Sequence, residues 1–111
     1  MKTVILEMER LRNLNSGLGQ YCLQLGRALA QSPERADIRF EAYMPEHLAG
    51  ILGPDTPCLP VSKWHKWTGV ETNADLWHCT HQDADYFPRN KRMAVTMTIH
   101  DLNFLERTDY A

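Results

Sequence analysis

The chain has 111 residues, of which 43% are hydrophobic and 23% charged, and its formal net charge is −2. This length allows one small domain with a hydrophobic core, and the composition is that of an ordinary globular protein. The slightly acidic balance argues against a nucleic-acid binder, which usually carries a basic face.

The sequence carries neither a membrane-span pattern nor a secretion signal. No apolar run is long enough to cross a bilayer, and the N-terminus lacks the basic-then-apolar plan of a signal peptide. Cys22, Cys58 and Cys79 are odd in number and have neither disulfide nor metal-ligand spacing. They indicate reduced thiols, and we therefore expect a cytoplasmic protein.

The first predicted element is a strand in the sequence KTVILEM, near the N-terminus. Val4, Ile5 and Leu6 form a continuous apolar run, which is typical of a strand covered on both faces in a parallel sheet. The segment ERLRNLNS then leads to a helix.

The next predicted element is an amphipathic helix that ends at Ser32-Pro33. Its apolar residues recur at the i, i+3, i+4, i+7 spacing of one buried stripe. That stripe comprises Leu18, Tyr21, Cys22, Leu25, Ala28 and Leu29. Asn15 or Ser16 can cap the first N–H groups of the helix. Gly26 lies inside the helix, where it is unfavourable, and we interpret it as a close contact with the sheet.

Three further strands are predicted. ADIRFEAYM alternates as a half-buried strand should. Its inward positions would be Ile38, Phe40, Ala42 and Met44, and its outward positions Arg39, Glu41 and Tyr43. ADLWHC and RMAVTMTIH supply the third and fourth strands. Residues 45–69 contain Pro54, Pro57 and Pro60 and predict mainly loop, with helical turns near 47–52 and 63–67. This order predicts an α/β fold with a parallel sheet.

Gly17 and Gly19 open the predicted helix and allow several interpretations. They supply two glycines of the dinucleotide-binding pattern G-x-G-x-x-G, but Cys22 occupies the third position. They also stand well beyond Met8, where the first strand ends. The glycines could instead only permit a tight turn into the helix. A helix N-terminus without a Cβ in the way also suits a phosphate.

Three segments resemble the N-terminal domain of family 4 glycosyltransferases, which have the GT-B fold. They are SGLGQY at 16–21, DLWH at 75–78 and TIHDL at 98–102. Members of that family typically show Gly-Gly-Ile-Gly-Arg-Tyr, Asp-Leu-Val-His and Thr-Ile/Val-His-Asp-Leu at these places. Ser16 replaces the usual first glycine, and Gln20 replaces a common arginine. The resemblance implies a Rossmann-like parallel sheet flanked by helices, the first part of a GT-B N-terminal domain.

The resemblance also implies a function. The complete protein would be a retaining glycosyltransferase that moves a sugar from a nucleotide-sugar donor to a hydroxyl of a sugar or lipid-linked acceptor. Residues 1–111 would be part of its acceptor-side domain, with the donor-binding domain absent. We therefore expect this chain alone to be inactive and to self-associate through uncovered apolar surface. A non-catalytic module for a phosphate-bearing ligand and an NAD(P)-dependent oxidoreductase domain stay open as alternatives.

Two adjacent residues are the catalytic candidates that the resemblance implies. His100, at a predicted strand end, would hydrogen-bond the donor sugar and stabilise the charge that develops at its anomeric carbon. Asp101 would orient His100 or cap the following turn. The alternative for His100 is a packed histidine without a chemical role.

Five more residues are binding candidates. By the resemblance, the glycine loop with Gly17, Gly19 and Gln20 would meet the donor diphosphate. His81 and Gln82 follow the end of a predicted strand, so we expect them to border the acceptor site.

His78, Cys79, His81 and His100 raise the question of a metal site. Residues three apart on a strand face opposite sides, so His78 and His81 would not converge unless the chain turns there. No second Cys/His cluster completes a ligand set. We expect neither a bound metal nor a cofactor.

The segment KWHKW, at 63–67, allows two interpretations. Tryptophan beside lysine suits a lipid–water interface, which would give peripheral contact with the inner face of a membrane. The alternative, which we adopt, is a short helix whose tryptophans pack on the sheet edge.

Overall fold

The computed structural model describes residues 2–32 and 37–100. Across these residues, five parallel strands form one sheet in the order β3-β2-β1-β4-β5. The strands are β1 (Lys2–Glu7), β2 (Ile38–Met44), β3 (Cys58–Pro60), β4 (Leu76–Cys79) and β5 (Ala94–Met97). The connections contain helices α1 (Gly17–Gln31) and α2 (His65–Thr68) and 3-10 helices at Glu9–Arg12 and Glu46–Leu48. The predicted α/β class with a parallel sheet is confirmed.

β1 is the central strand, and the order of the sheet reverses beside it. From β1 the chain moves outward through β2 to β3, and it then returns to place β4 and β5 on the other side. In the register of these strands, Glu7 lies between Tyr43 of β2 and Cys79 of β4. Open parallel sheets bind ligands beyond the carboxyl ends of their strands, at the point where the strand order reverses. Here that point lies at the ends of β1 and β4.

Helix α1 packs on β1 and β2 with its ends where the sequence predicts them. Ser16 caps it by accepting the N–H of Gly19 on Oγ at 2.9 Å, and the helix stops at Gln31, before Ser32. Its buried residues are Gly19, Cys22, Leu23 and Gly26. The predicted stripe was therefore wrong in part, since Leu23 is buried and Ala28 is exposed. Two glycines on this buried face, Gly19 and Gly26, let it approach Asn13 and Leu52 closely.

The close contact of Gly26 is confirmed, but its partner is not the sheet. A Cβ at Gly26 would lie 2.6 Å from Leu52 Cδ2, in the segment between β2 and β3. Leu52 is buried, and it belongs to the core that α1 forms with β1 and β2. The absence of a side chain at Gly26 therefore leaves room for Leu52, which covers this side of the helix.

The second face of the sheet carries a core of its own. Its buried members are Ile5, Tyr43, Val70, Trp77, Cys79 and Tyr86. The prediction that Tyr43 faces outward was wrong, because the chain after β3 covers this face. The Tyr43 hydroxyl lies 2.8 Å from His65 Nδ1 of α2, and burial raises the pKa of this phenol. Both faces of β2 are thus covered at its carboxyl end.

The segment predicted as loop contains a further strand and two short helices. β3 pairs with the end of β2, with Pro60 opposite Met44, and its edge position tolerates the proline. The helical turns predicted near 47–52 and 63–67 correspond to the 3-10 helix Glu46–Leu48 and to α2. The prediction that Trp64 and Trp67 pack on the sheet edge was wrong. Trp64 and Trp67 are 59% and 77% exposed and contact each other instead of the sheet edge.

The remaining features concern thiols, membrane spans and exposed apolar surface. The three cysteines are free thiols, as predicted, and burial raises the pKa of each one. None of the helices in residues 2–32 and 37–100 is long and apolar enough to cross a membrane. Three apolar side chains of β5 and the residues after it are exposed: Val95, Met97 and Ile99. Self-association through such surface stays a prediction.

Candidate functional site

Two of the three segments that carry the family resemblance meet at the carboxyl edge of β4 and β5, as far as their residues are described. His100 follows β5, and its ring meets the ring of Tyr21 on α1 edge-on, with centroids 4.4 Å apart and planes at 81°. Tyr21 stands at the end of the sequence SGLGQY, at the start of α1. The third segment, DLWH, overlaps β4, which pairs with β5 along its length. Residues far apart in sequence thus converge on one place at this edge.

His100 is held by two hydrogen bonds from the segment after β4. Its Nε2 lies 2.5 Å from the carbonyl oxygen of Thr80, and its backbone N–H donates to Oε1 of Gln82 at 3.2 Å. Because a carbonyl only accepts, Nε2 carries the proton. In the neutral ring Nδ1 is then an acceptor, and it makes no hydrogen bond to any described residue. His100 is exposed, so this acceptor is available to a ligand.

The glycines differ from each other in what surrounds them. A Cβ at Gly19 would overlap the carbonyl oxygen of Asn13, whereas a Cβ at Gly17 would meet nothing within 4 Å. Gly19 therefore serves the tight turn into the helix. Its N–H is also occupied by Ser16. The N–H groups of Gly17 and Leu18 donate to no described residue and are free for an anion.

Gln20 and Asp101 are two further candidate residues. The Gln20 amide nitrogen donates to the carbonyl oxygen of Leu14 at 2.6 Å, so this group braces the loop before α1. Asp101 lies outside the described residues.

His81 lies at the same edge of the sheet, but its ring points inward. The residue is only 3% exposed. Its Nδ1 accepts the backbone N–H of Asp83 at 3.1 Å, and its Nε2 lies 3.8 Å from Glu7 Oε2 and 3.3 Å from Arg10 Nε. Burial, followed by the nearby Arg10 guanidinium, lowers the pKa of His81. Any effect of His81 on a ligand is therefore indirect.

Glu7 is the residue that sequence reasoning missed. It is 1% exposed at the end of β1. Its Oε1 accepts the N–H of Glu9 at 3.0 Å, while its buried Oε2 accepts no hydrogen bond from the described residues. Loss of hydration raises the pKa of Glu7 to about 7. A signal was present, because a carboxylate between Leu6 and Met8 interrupts an apolar strand at its ligand-binding end.

Thr80 ties the elements of the site together. Its hydroxyl donates to the carbonyl oxygen of Glu7 at 2.7 Å and lies 3.3 Å from Cys22 Sγ of α1. Thr80 is fully buried. One side chain therefore connects the end of β1, the end of β4 and the core-facing side of α1.

The ring of His78 is held by hydrogen bonds, and it lies on the opposite face of the sheet from His81. Its Nδ1 lies 2.7 Å from Thr96 Oγ1 and its Nε2 lies 2.8 Å from Thr98 Oγ1. Burial lowers its pKa. Both ring nitrogens are thereby occupied. Among residues 2–32 and 37–100, no group of three or more His, Cys, Asp or Glu side chains is arranged to hold a metal ion.

Comparisons of this chain with protein-family models, with curated proteins and with solved structures find no match.

Proposed function

We propose that this chain is the acceptor-side part of a retaining glycosyltransferase that moves a sugar from a nucleotide-sugar donor to a hydroxyl acceptor. The observation that carries the proposal is the contact of His100 with Tyr21 and Gln82 at the carboxyl edge of the sheet. It unites segments that resemble family 4 glycosyltransferases, at the edge where open parallel sheets bind their ligands. The acceptor would be a sugar or a lipid-linked molecule.

His100 has the chemistry that a sugar site requires. Its neutral ring offers Nδ1 as an acceptor for a sugar hydroxyl, while Thr80 fixes its Nε2–H. Tyr21 and the Thr80 carbonyl limit the orientations of the ring, and Gln82 holds the backbone of His100, which lowers the entropic cost of holding a ligand. His100 would thus bind and orient the donor sugar. Asp101 adjoins it in sequence, and a role in orienting His100 belongs to the same proposal.

The first turn of α1 offers the complementary chemistry for the donor diphosphate. The N–H groups of Gly17 and Leu18 have no acceptor in the part of the chain that the structure describes, and the positive end of the helix dipole favours an anion there. Gly17 carries no side chain that could prevent close approach. This turn would contact the diphosphate, while most of the donor would be held by a second domain of the complete enzyme.

A second candidate function is a non-catalytic module for a phosphate-bearing ligand. It is favoured by the same free amides, because an anion site at the first turn of α1 needs nothing from His100. A dinucleotide-dependent oxidoreductase has less support. The 3-10 helix Glu9–Arg12 separates the glycines from β1, whereas the dinucleotide pattern places them directly after the strand.

Sugar transfer by the product of the natural gene tests the proposal. Turnover with a panel of nucleotide-sugar donors and hydroxyl acceptors should fall strongly in His100→Ala, with an almost unchanged melting temperature. His47→Ala is the matched control, because His47 is an exposed histidine of the 3-10 helix Glu46–Leu48. Equal turnover in both variants would remove His100 from the mechanism. Phosphate-ligand binding without any transfer would favour the non-catalytic module.

A further inference from the structure

We propose that the exposed side of α2 binds the surface of a membrane that contains anionic lipids. We call this side the tryptophan face, and it consists of two lysines and two tryptophans: Lys63, Trp64, Lys66 and Trp67. The tryptophans are the two most exposed large apolar side chains among residues 2–32 and 37–100, at 59% and 77%. Adjoining exposed rings form an apolar patch, and such patches mark contacts with membranes or other proteins.

The opposite side of α2 is fixed to the core, which sets the direction of the tryptophan face. His65 Nδ1 lies 2.8 Å from the hydroxyl of the buried Tyr43. At the end of the helix, Arg89 Nε donates to the carbonyl oxygen of Thr68 at 3.1 Å. A rotation of α2 that buried the tryptophans would break both bonds. The exposure of the tryptophan face is therefore built into the fold.

The two indoles have the geometry of side chains that enter a lipid–water boundary. Trp64 and Trp67 are three residues apart in one helical turn, so they share a side, and their centroids lie 5.6 Å apart. Neither indole N–H donates to a residue that the structure describes, whereas the buried Trp77 has a partner. An apolar ring with a free N–H is the chemistry of the headgroup boundary.

The charge around α2 selects an anionic surface. Residues 56–70 contain two lysines and neither Asp nor Glu, although the chain as a whole has a net charge of −2. Lys63 and Lys66 form no ion pair with any carboxylate in the described part of the chain. Glu71, which follows this segment, lies 3.4 Å from Arg89 and is thereby compensated. Lysines beside exposed tryptophans are attracted to anionic headgroups.

A carbohydrate fits the tryptophan face less well than a membrane does. Stacking of a sugar requires a broad ring face that is open to the ligand. The planes of Trp64 and Trp67 are instead inclined at 56°, and Lys63 Nζ lies over the Trp64 ring, 5.5 Å from its centroid. The rings therefore do not form one flat platform. A fluid bilayer surface requires no such platform.

The tryptophan face lies toward the edge of the sheet that carries His100. α2 follows the carboxyl end of β3, and its partner Tyr43 stands near the carboxyl end of β2. A membrane bound there would bring a lipid-linked acceptor to the edge that holds the candidate site. This consequence rests on the proposed function, whereas membrane binding itself does not.

Sedimentation with vesicles tests membrane binding by the chain without donor or acceptor. Vesicles of phosphatidylglycerol and phosphatidylcholine in equal parts should give a partition coefficient about tenfold higher than phosphatidylcholine alone. About 0.5 M salt should remove the difference, because it screens the lysines. The emission of Trp64 and Trp67 should shift to the blue on binding. Equal partition into both kinds of vesicle, or an unshifted emission, would overturn the proposal.

Charge-reversed variants locate the binding surface. Lys63→Glu combined with Lys66→Glu should lower the partition coefficient about tenfold or more. Lys91→Glu combined with Arg92→Glu is the matched control, because it changes the net charge equally at exposed residues before β5. Equal losses in both double variants would show attraction to the whole protein and would contradict the role of the tryptophan face.

Removal of the indoles tests their part and decides if the lysine variant does not fold. Trp64→Ala combined with Trp67→Ala should lower the partition coefficient about tenfold, and Trp67→Ala alone should lower it in part. Unchanged partition would refute the proposal. A blue shift with polyglutamate and none with vesicles would instead assign the tryptophan face to an acidic protein. Vesicle binding without sugar transfer would reject only the proposed function, and transfer without vesicle binding would reject only the membrane surface.

Discussion

The hydroxyl of Thr80 donates to the carbonyl of Glu7 at 2.7 Å and so joins β4 to β1 where the order of the sheet reverses. Both residues are buried, so water cannot replace this bond. Thr80→Val keeps the shape of the side chain and removes the donor. We expect it to lower the free energy of unfolding by about 1–3 kcal/mol, measured by urea denaturation. Thr96→Val is the control and should cost less, because Thr96 is exposed. Equal effects would contradict the role given to Thr80.

Glu7 should make the stability of the protein depend on pH near neutrality. The pKa of this group rises on folding from 4.5 to about 7. The folded state therefore holds the proton more tightly, and the stability from Glu7 is complete below pH 4.5 and is lost as the pH rises through 7. Glu7→Gln should remove this loss and be more stable than the wild type at pH 8, by at most about 3.5 kcal/mol at ~1.4 kcal/mol per pKa unit.

The measurement is urea denaturation of both proteins between pH 4.5 and 8.5. His81 has the opposite sign, since its lowered pKa costs stability as the pH falls. Both proteins contain His81. The difference between their free energies of unfolding therefore reports Glu7 alone, as far as the two groups titrate independently. A difference that does not change with pH would contradict the assignment.

Gly19 should be needed for folding more than for binding. A Cβ there overlaps the backbone of Asn13, so Gly19→Ala forces the loop before α1 to move. We expect a loss of about 1–3 kcal/mol, the usual range for overpacking, measured as a lower melting temperature. Gly17→Ala should change the melting temperature little, because its Cβ position is open. The same result for both variants would refute the packing argument.

Gly17 allows the anion site to be tested with little change in the fold. Proline suits the first position of a helix, and Ser16 already has the extended backbone that proline requires before it, with φ −87° and ψ 159°. Gly17→Pro therefore removes one free N–H and keeps α1. In the product of the natural gene, the proposed function predicts about tenfold weaker binding of a nucleoside diphosphate, measured by calorimetry. Gly17→Ala, which keeps the N–H, should bind as the wild type does. Unchanged affinity in the proline variant would exclude this amide from the site.

Local patterns predicted the elements whose signals lie within a short stretch of the sequence. The apolar run of β1 and the capped start and proline stop of α1 are of this kind. β3 was missed because three residues ending in Pro60 give no periodic signal, and their pairing with β2 supplies the structure. Tyr43 was assigned to the wrong side because alternation cannot reveal a second covered face.

The residues of the candidate site likewise divide into those that local sequence patterns predict and those that only the fold reveals. His100 and Gln82 could be placed at the carboxyl edge of the sheet because His100 ends one predicted strand and Gln82 follows another, and parallel strands end at one edge. The approach of Glu7 to His81 depends on the register of β1 with β4, which no local pattern contains. Whether the N–H of Gly19 is free depends on the Ser16 cap, which only the geometry of the turn reveals.

The unequal burial of the tryptophans gives the protein a built-in optical reporter. Trp77 is fully buried, and its indole N–H donates to the carbonyl of Tyr86 at 3.1 Å, in the segment that also carries His81. Trp64 and Trp67 stand in solvent. Iodide should quench the fluorescence of this exposed pair and leave the emission of Trp77. The remaining emission then follows the segment around His81 during ligand titrations without any added label.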